Sequence, residues 1–155
     1  DHKSSRGLGD VYKRQTKEAI QNEWFFSGDA GFFDDEGYLY IHDRVKDMIV
    51  SGGENIYPAE VENALMSNPD IIDAAVIGIP DEKWGESVKG FVVLKDGAKL
   101  SEVDIISYTK TQIAGYKCPK SINFIDMLPR NPSGKVLRRE LREPFWEGIE
   151  RKVGG

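Results

Sequence analysis

The chain has 155 residues, enough for one domain with little room for a second complete one. Its 39% hydrophobic and 30% charged content is an ordinary globular mix, and no apolar run approaches the roughly 20 residues that span a bilayer. A net charge of −5 without a long basic run gives no electrostatic case for nucleic-acid binding, and a single cysteine, Cys118, excludes an internal disulfide.

Cysteine use of this kind fits a reducing compartment, and the expected location is cytoplasmic. Peripheral contact with a membrane is left open. Residues 1–15 are rich in Gly, Ser, Lys and Arg, and no apolar core follows Asp1-His2-Lys3, so they are not a secretory signal. The run Asp10-Val11-Tyr12-Lys13-Arg14-Gln15 resembles a translated transposon end from sequencing-library preparation. Residues 1–15 are therefore expected to be a non-native tail, with a disordered natural terminus as the alternative.

Trp24-Phe25-Phe26 is consistent with a short buried strand. Phe32-Phe33 and Tyr38-Leu39-Tyr40-Ile41 flank Asp34-Asp35-Glu36-Gly37, which predicts a β-hairpin. The acids are not read as a calcium loop, because the alternating ligand spacing and terminal Glu are missing. Residues 45–50 read as a strand, and Ser51-Gly52-Gly53-Glu54-Asn55 as a flexible loop. Pro58 suits a first helical position, with Glu60 and Glu62 in the acidic first turn and Val61, Ala64 and Leu65 facing inward. That helix is expected to end near Asn68-Pro69.

Residues 71–79 and 89–94 read as strands, the first ended by Pro80-Asp81 and the second by the turn Asp96-Gly97. Ser101 is an N-cap for a helix to about Ile113, with Ile105, Ile106 and Ile113 as its core face. Residues 122–125 form a short strand. The polar loop 129–134 then leads to a basic helix from about Val136. From Val45 the order is strand, helix, strand, strand, helix, strand, helix. That order predicts an α+β domain with a small mixed β-sheet and packed helices, preceded by a β-hairpin. A composition shift near Asp43 marks the boundary.

Four stretches carry chemistry. Trp24-Phe25-Phe26-Ser27-Gly28-Asp29 places a short carboxylate at a turn, where it can accept two hydrogen bonds from a ribose diol or cap its own backbone. Arg44, Lys46, Gly52 and Gly53 lie in the run from Asp43 to Glu62. Asp81-Glu82-Lys83-Trp84 and Gly115-Tyr116-Lys117-Cys118-Pro119-Lys120 supply rings that can stack on a base and ammonium groups that can meet phosphates. In Pro129-Arg130-Asn131-Pro132-Ser133-Gly134-Lys135 the Gly-Lys pair is no P-loop, since position 129 is Pro and no Ser or Thr follows Lys135. His2 and His42 are the only histidines, so no zinc site and no protein-held metal are expected.

Together, in this order and spacing, these stretches resemble the C-terminal signatures of the adenylate-forming superfamily. That group includes acyl- and aryl-CoA synthetases, peptide-synthetase adenylation domains and beetle luciferase. The resemblance covers about residues 23–142 and is strongest for bacterial fatty-acyl-CoA synthetases. It implies that residues 16–45 end a large AMP-binding domain and that residues 46–155 are the small C-terminal domain. It implies catalysis by Lys135 on a mobile loop, adenylate binding by Asp29, Arg44 and Lys135, and a hinge at Lys46. It also implies CoA contacts from Gly52, Gly53, Trp84, Tyr116, Lys117 and Lys120. The family often has Gly where Asp43 stands, and many relatives carry Arg where Gly115 stands.

The implied reaction joins a carboxylic acid, expected to be a fatty acid, to CoA through an acyl-adenylate made from ATP. Mg2+ would be held mainly through ATP and the N-terminal domain. An aryl-CoA (4-coumarate-like) ligase is the nearest alternative. A stand-alone, non-catalytic binding module of the same fold is the alternative of another class. The implied partner is the chain's own N-terminal domain, and without it the chain is expected to be inactive.

Overall fold

The structure, a computed structural model, describes residues 20–149; residues 1–19 and 150–155, and with them the expected tail at 1–15, lie outside the described residues. Two small antiparallel pairs come first. β1 (Ile20–Gln21) pairs with β2 (Trp24–Phe25), and β3 (Asp29–Phe33) pairs with β4 (Leu39–Arg44). Asp34 closes the β3–β4 turn by accepting the Glu36 and Tyr38 N–H groups on Oδ1. The expected hairpin is present. The expected burial of Trp24 and Phe25 is not: they are 74% and 70% exposed, because no described element packs over them.

The main body is a five-stranded mixed sheet. β5 (Ile49–Ser51) and β6 (Glu54–Ile56) form a hairpin, and β7 (Ile71–Asp81) and β8 (Gly85–Leu94) form a longer one. β8 also pairs with β5 at Ser51↔Gly85 and, in parallel, with β9 (Ser121–Phe124). Three helices cover this sheet: α1 (Pro58–Met66), α2 (Glu102–Gln112) and α3 (Arg138–Trp146). None of the described helices is long and apolar enough to cross a membrane.

Both faces of the β7–β8 ladder are buried, and for that reason its sequence runs almost continuously apolar. Ala74, Val76, Val88 and Val92 point to one side, where Val61 and Leu65 of α1 and Ile105 of α2 complete a core. Ala75, Ile77, Phe91 and Val93 point to the other, against Leu128 and, more loosely, Leu141 and Phe145 of α3. This is the period of two expected of a strand, filled on both sides. Ile105 is buried as expected, whereas Ile106 and Ile113 sit at the core's edge.

The helix starts follow local chemistry. Pro58 occupies the first turn of α1, and Ser101 forms a capping box with Asp104 at α2. Several boundaries differ from expectation, and β8 begins at Gly85 rather than at 89. Val45–Asp47 is a 3-10 turn rather than strand, so β5 begins only at Ile49. The expected loop 51–55 is a tight hairpin turning on Gly52 and Gly53, whose φ values of +61° and +87° suit the twist of the flanking strands. Pro80 does not end β7; it pairs with Glu86, and a missing N–H is tolerated on a free sheet edge. α3 starts at Arg138, because Val136 is held in a bridge with Arg130.

Candidate functional site

The expected site residues fall into three clusters. The first is a facing pair on the β3–β4 ladder. Asp29 and Arg44 are register partners, with Arg44 Nε 3.9 Å from Asp29 Oδ1 and both side chains well exposed. Asp29 does not use its carboxylate to cap its own turn; instead its backbone N–H donates to Ser27 Oγ. An exposed pair at this distance is weakly held, so either partner can exchange to a ligand.

The second cluster surrounds the Gly52-Gly53 turn. The Gly52 N–H donates to the Trp84 carbonyl at 2.8 Å, and the Trp84 indole lies directly under Gly52. A Cβ on Gly52 would stand 2.8 Å from Trp84 Cε3, and its φ of +61° disfavours a side chain independently. Asp81 Oδ1 accepts the N–H groups of Lys83 and Trp84 and so shapes the β7–β8 turn that carries the indole. The nearly buried Glu86 accepts the Val50 N–H at 3.1 Å, tying β5 to β8 just before the glycines. Beside this turn lies a cavity of about 650 Å³ with Val50, Trp84, Glu86 and Trp146 among its walls.

The other expected CoA residues divide. Tyr116 and Lys120 are exposed. Lys117 is engaged: its Nζ donates to both Glu60 carboxylate oxygens at 2.7 and 2.8 Å. The Glu60 carboxylate, against a smaller effect of burial, raises the Lys117 pKa above the ordinary lysine value. A phosphate would have to displace Glu60 to reach this ammonium.

The third cluster is the Lys135 turn, and it is no loose loop. Asn131 Oδ1 accepts the Ser133 N–H, the Ser133 hydroxyl and the Lys135 N–H. The Asn131 N–H donates to the Lys135 carbonyl at 2.9 Å. Arg130 donates to the Gly134 carbonyl and to Asp73 of β7, each at 2.6 Å. The Lys135 side chain is exposed, and among the described residues no hydrogen bond or ion pair engages its ammonium. A free cation is thus displayed from a braced backbone.

Several residues in and beside these stretches are assigned no role by the motifs. Asp43 Oδ2 accepts the Ala59 N–H at 2.9 Å and so caps α1 from the neighbouring strand. His42 stacks on Tyr57 at 5.0 Å. Both contacts straddle Lys46, which sits in the 3-10 turn between β4 and β5. The next residue, Asp47, accepts from Arg142 at 2.8 Å and lies 3.7 Å from Arg138 Nη1. Arg138 donates through Nε and Nη2 to Glu62, which also accepts the Val76 N–H. Burial alone would lower the Arg138 pKa; the Glu62 carboxylate, with Asp43 and Asp47 beyond it, outweighs this and raises it. Among the described residues no group of three or more His, Cys, Asp or Glu is placed to hold a metal ion.

Comparison with known proteins fits this geometry. Residues 60–135 match the model of the AMP-binding enzyme C-terminal domain. A fatty acid–[acyl-carrier-protein] ligase of Streptomyces coeruleorubidus is 49% identical over 139 residues, 90% of this chain and 27% of that protein. A long-chain-fatty-acid–CoA ligase of Mycobacterium tuberculosis is 52% identical over 130 residues, 84% of this chain and 26% of that protein. The ATP-bound MatB of Rhodopseudomonas palustris superimposes with a TM-score of 0.79 at 36% identity, covering 89% of this chain and 28% of that one. The chain therefore spans about a quarter of the length of the curated relatives it matches.

Proposed function

We propose, since the chain belongs to the adenylate-forming superfamily as its AMP-binding enzyme C-terminal domain, that it is the small moving domain of an ATP-dependent acyl-CoA synthetase acting on a fatty acid. The observation that carries this reading is Lys135, an exposed and unengaged ammonium on a turn braced by Asn131 and Arg130.

In the first step the substrate carboxylate attacks the α-phosphorus of ATP, and pyrophosphate leaves. Negative charge builds on the α-phosphate oxygens. A cation held between carboxylate and phosphate stabilises that charge and aligns the two reactants. Lys135 takes that role. Asp29 accepts the ribose hydroxyls and Arg44 supplies a charged donor next to them. In the second step the CoA thiolate attacks the acyl carbon and expels AMP. The domain turns about Lys46 between the steps, withdrawing Lys135 and presenting the Gly52-Gly53 turn. Gly53, whose missing side chain would meet nothing within 4 Å, leaves a thin pantetheine arm room to pass beside Gly52, which lies on the Trp84 ring, while Trp84, Tyr116 and Lys120 meet the nucleotide end. Lys117 joins them only on leaving Glu60.

The remaining three quarters of the relatives' length correspond to a large N-terminal domain, the partner of this reading. Exposed Trp24, Phe25, Phe33 and Tyr38 form the apolar surface it would cover. Mg2+ enters this reading with ATP, held mainly through ATP and the N-terminal domain.

The test is acid-dependent ATP–pyrophosphate exchange by the complete synthetase, run with fatty and aromatic acids. Exchange fastest with a fatty acid is the expected result. Exchange fastest with an aromatic acid would replace the substrate class, and none with any acid would overturn the activity.

A further inference from the structure

The hinge segment and the Lys135 turn are far apart in sequence, yet one nearly buried ion network joins them. Arg138, three residues beyond Lys135, reaches Glu62 of α1 at 2.7 Å and approaches Asp47, the residue after the hinge, at 3.7 Å. Arg142, one helical turn further along α3, closes the network on Asp47 at 2.8 Å. The four side chains are 13–21% exposed, so these contacts escape most solvent screening. Arg142 Nε is buried with no hydrogen-bond partner among the described residues.

We propose that Arg138 and Asp47 are positioning residues for adenylation, coupling the hinge at Lys46 to the root of the Lys135 turn so that rotation delivers the ammonium to one fixed place. The inference rests on the functional reading above. A guanidinium can bridge two carboxylates with fixed angles, and a lysine cannot. On its near side the turn is braced by Asn131 and by Arg130, which also ties it to Asp73 of β7; Arg138 supplies the tie to the hinge segment.

The test uses the complete synthetase with Arg138→Lys, which keeps the charge and loses the fork, and with Asp47→Asn. Adenylation is read by pyrophosphate exchange, and thioester formation is read separately from supplied acyl-adenylate. A displacement of about 1 Å can cost on the order of 100-fold in rate. The expected result is a loss of tenfold or more in the adenylation kcat, with KM for ATP unchanged and any fall in melting temperature too small to unfold the variant at the assay temperature. Thioester formation from supplied adenylate should stay within about twofold of the parent. Equal loss in both half-reactions, or loss that tracks a lowered melting temperature in both variants, would show a merely structural role. No loss in either variant would also overturn the proposal. Lys135→Ala separates this from the functional reading: if it too spares adenylation, the reading fails; if it alone abolishes adenylation, only the coupling fails.

Discussion

The Gly52-Gly53 turn and the Lys135 turn are both short, exposed and tightly built, yet they are held in opposite ways. The first is fixed by shape. Its backbone lies on the Trp84 ring with no side chain between them. The second is fixed by polar side chains, chiefly Asn131 and Arg130, and presents a long charged side chain of its own. On the proposed function, the first turn keeps its backbone bare so that it can lie against the ring and still pass a thin ligand beside Gly53. On the same proposal, the second delivers a charge, which needs its root immobile and its tip free.

Substituting the tip of the second turn should have the largest effect. Lys135→Ala in the complete synthetase should lower the adenylation kcat by about 100- to 1,000-fold, the scale of losing one aimed electrostatic group. Thioester formation from supplied adenylate should persist. Equal loss of both would break the contrast between the turns. Gly52→Ala should do the reverse, because its Cβ would meet Trp84 at 2.8 Å. Thioester formation should fall roughly tenfold or more while adenylation is retained. Adding Trp84→Ala restores the space but not the backbone conformation, so only partial recovery is expected. Full recovery would assign the whole effect to the indole.

Asn131→Ala tests the brace itself. It removes one acceptor shared by three donors and should cost about 1 kcal/mol of stability, read as a small drop in melting temperature. Adenylation should weaken more than thioester formation. The smallest effect concerns Lys117. Its folded pKa is raised, chiefly by Glu60, so the pair's stabilisation is fully present below the unfolded lysine value of about 10.4. It is lost as pH rises through the folded value. Glu60→Gln should therefore flatten a shallow alkaline fall in stability, measured by denaturant unfolding from pH 8 to 11. An unchanged alkaline limb would show that the pair contributes nothing.

Much of this was legible before any coordinates. The Ser101 cap, Pro58 at a helix start and the strand at 71–79 are local patterns, and each holds in the fold. The motifs single out Asp29, Gly52 and Lys135, and all three are exposed. What misled was burial and local geometry. Trp24 and Phe25 read as a buried strand because they are apolar, but burial needs a covering element, and none of the described ones provides it. Ser51 to Asn55 read as a flexible loop because glycines permit many conformations. The β5–β6 pairing selects one of them.

By itself, then, the sequence determined the elements, the mixed α+β order and the chemistry available at each turn, since caps, periodicity and motifs act within a few residues. Only the tertiary structure decided which charges meet. Glu62 finds Arg138 across 76 positions, Asp47 finds Arg142 across 95, and Glu60 takes Lys117 across 57. It also gave Asp43 a helix to cap. No local pattern encodes such pairs. They form only once the sheet has packed its helices and brought distant carboxylates and guanidinium groups into a shared, water-poor space.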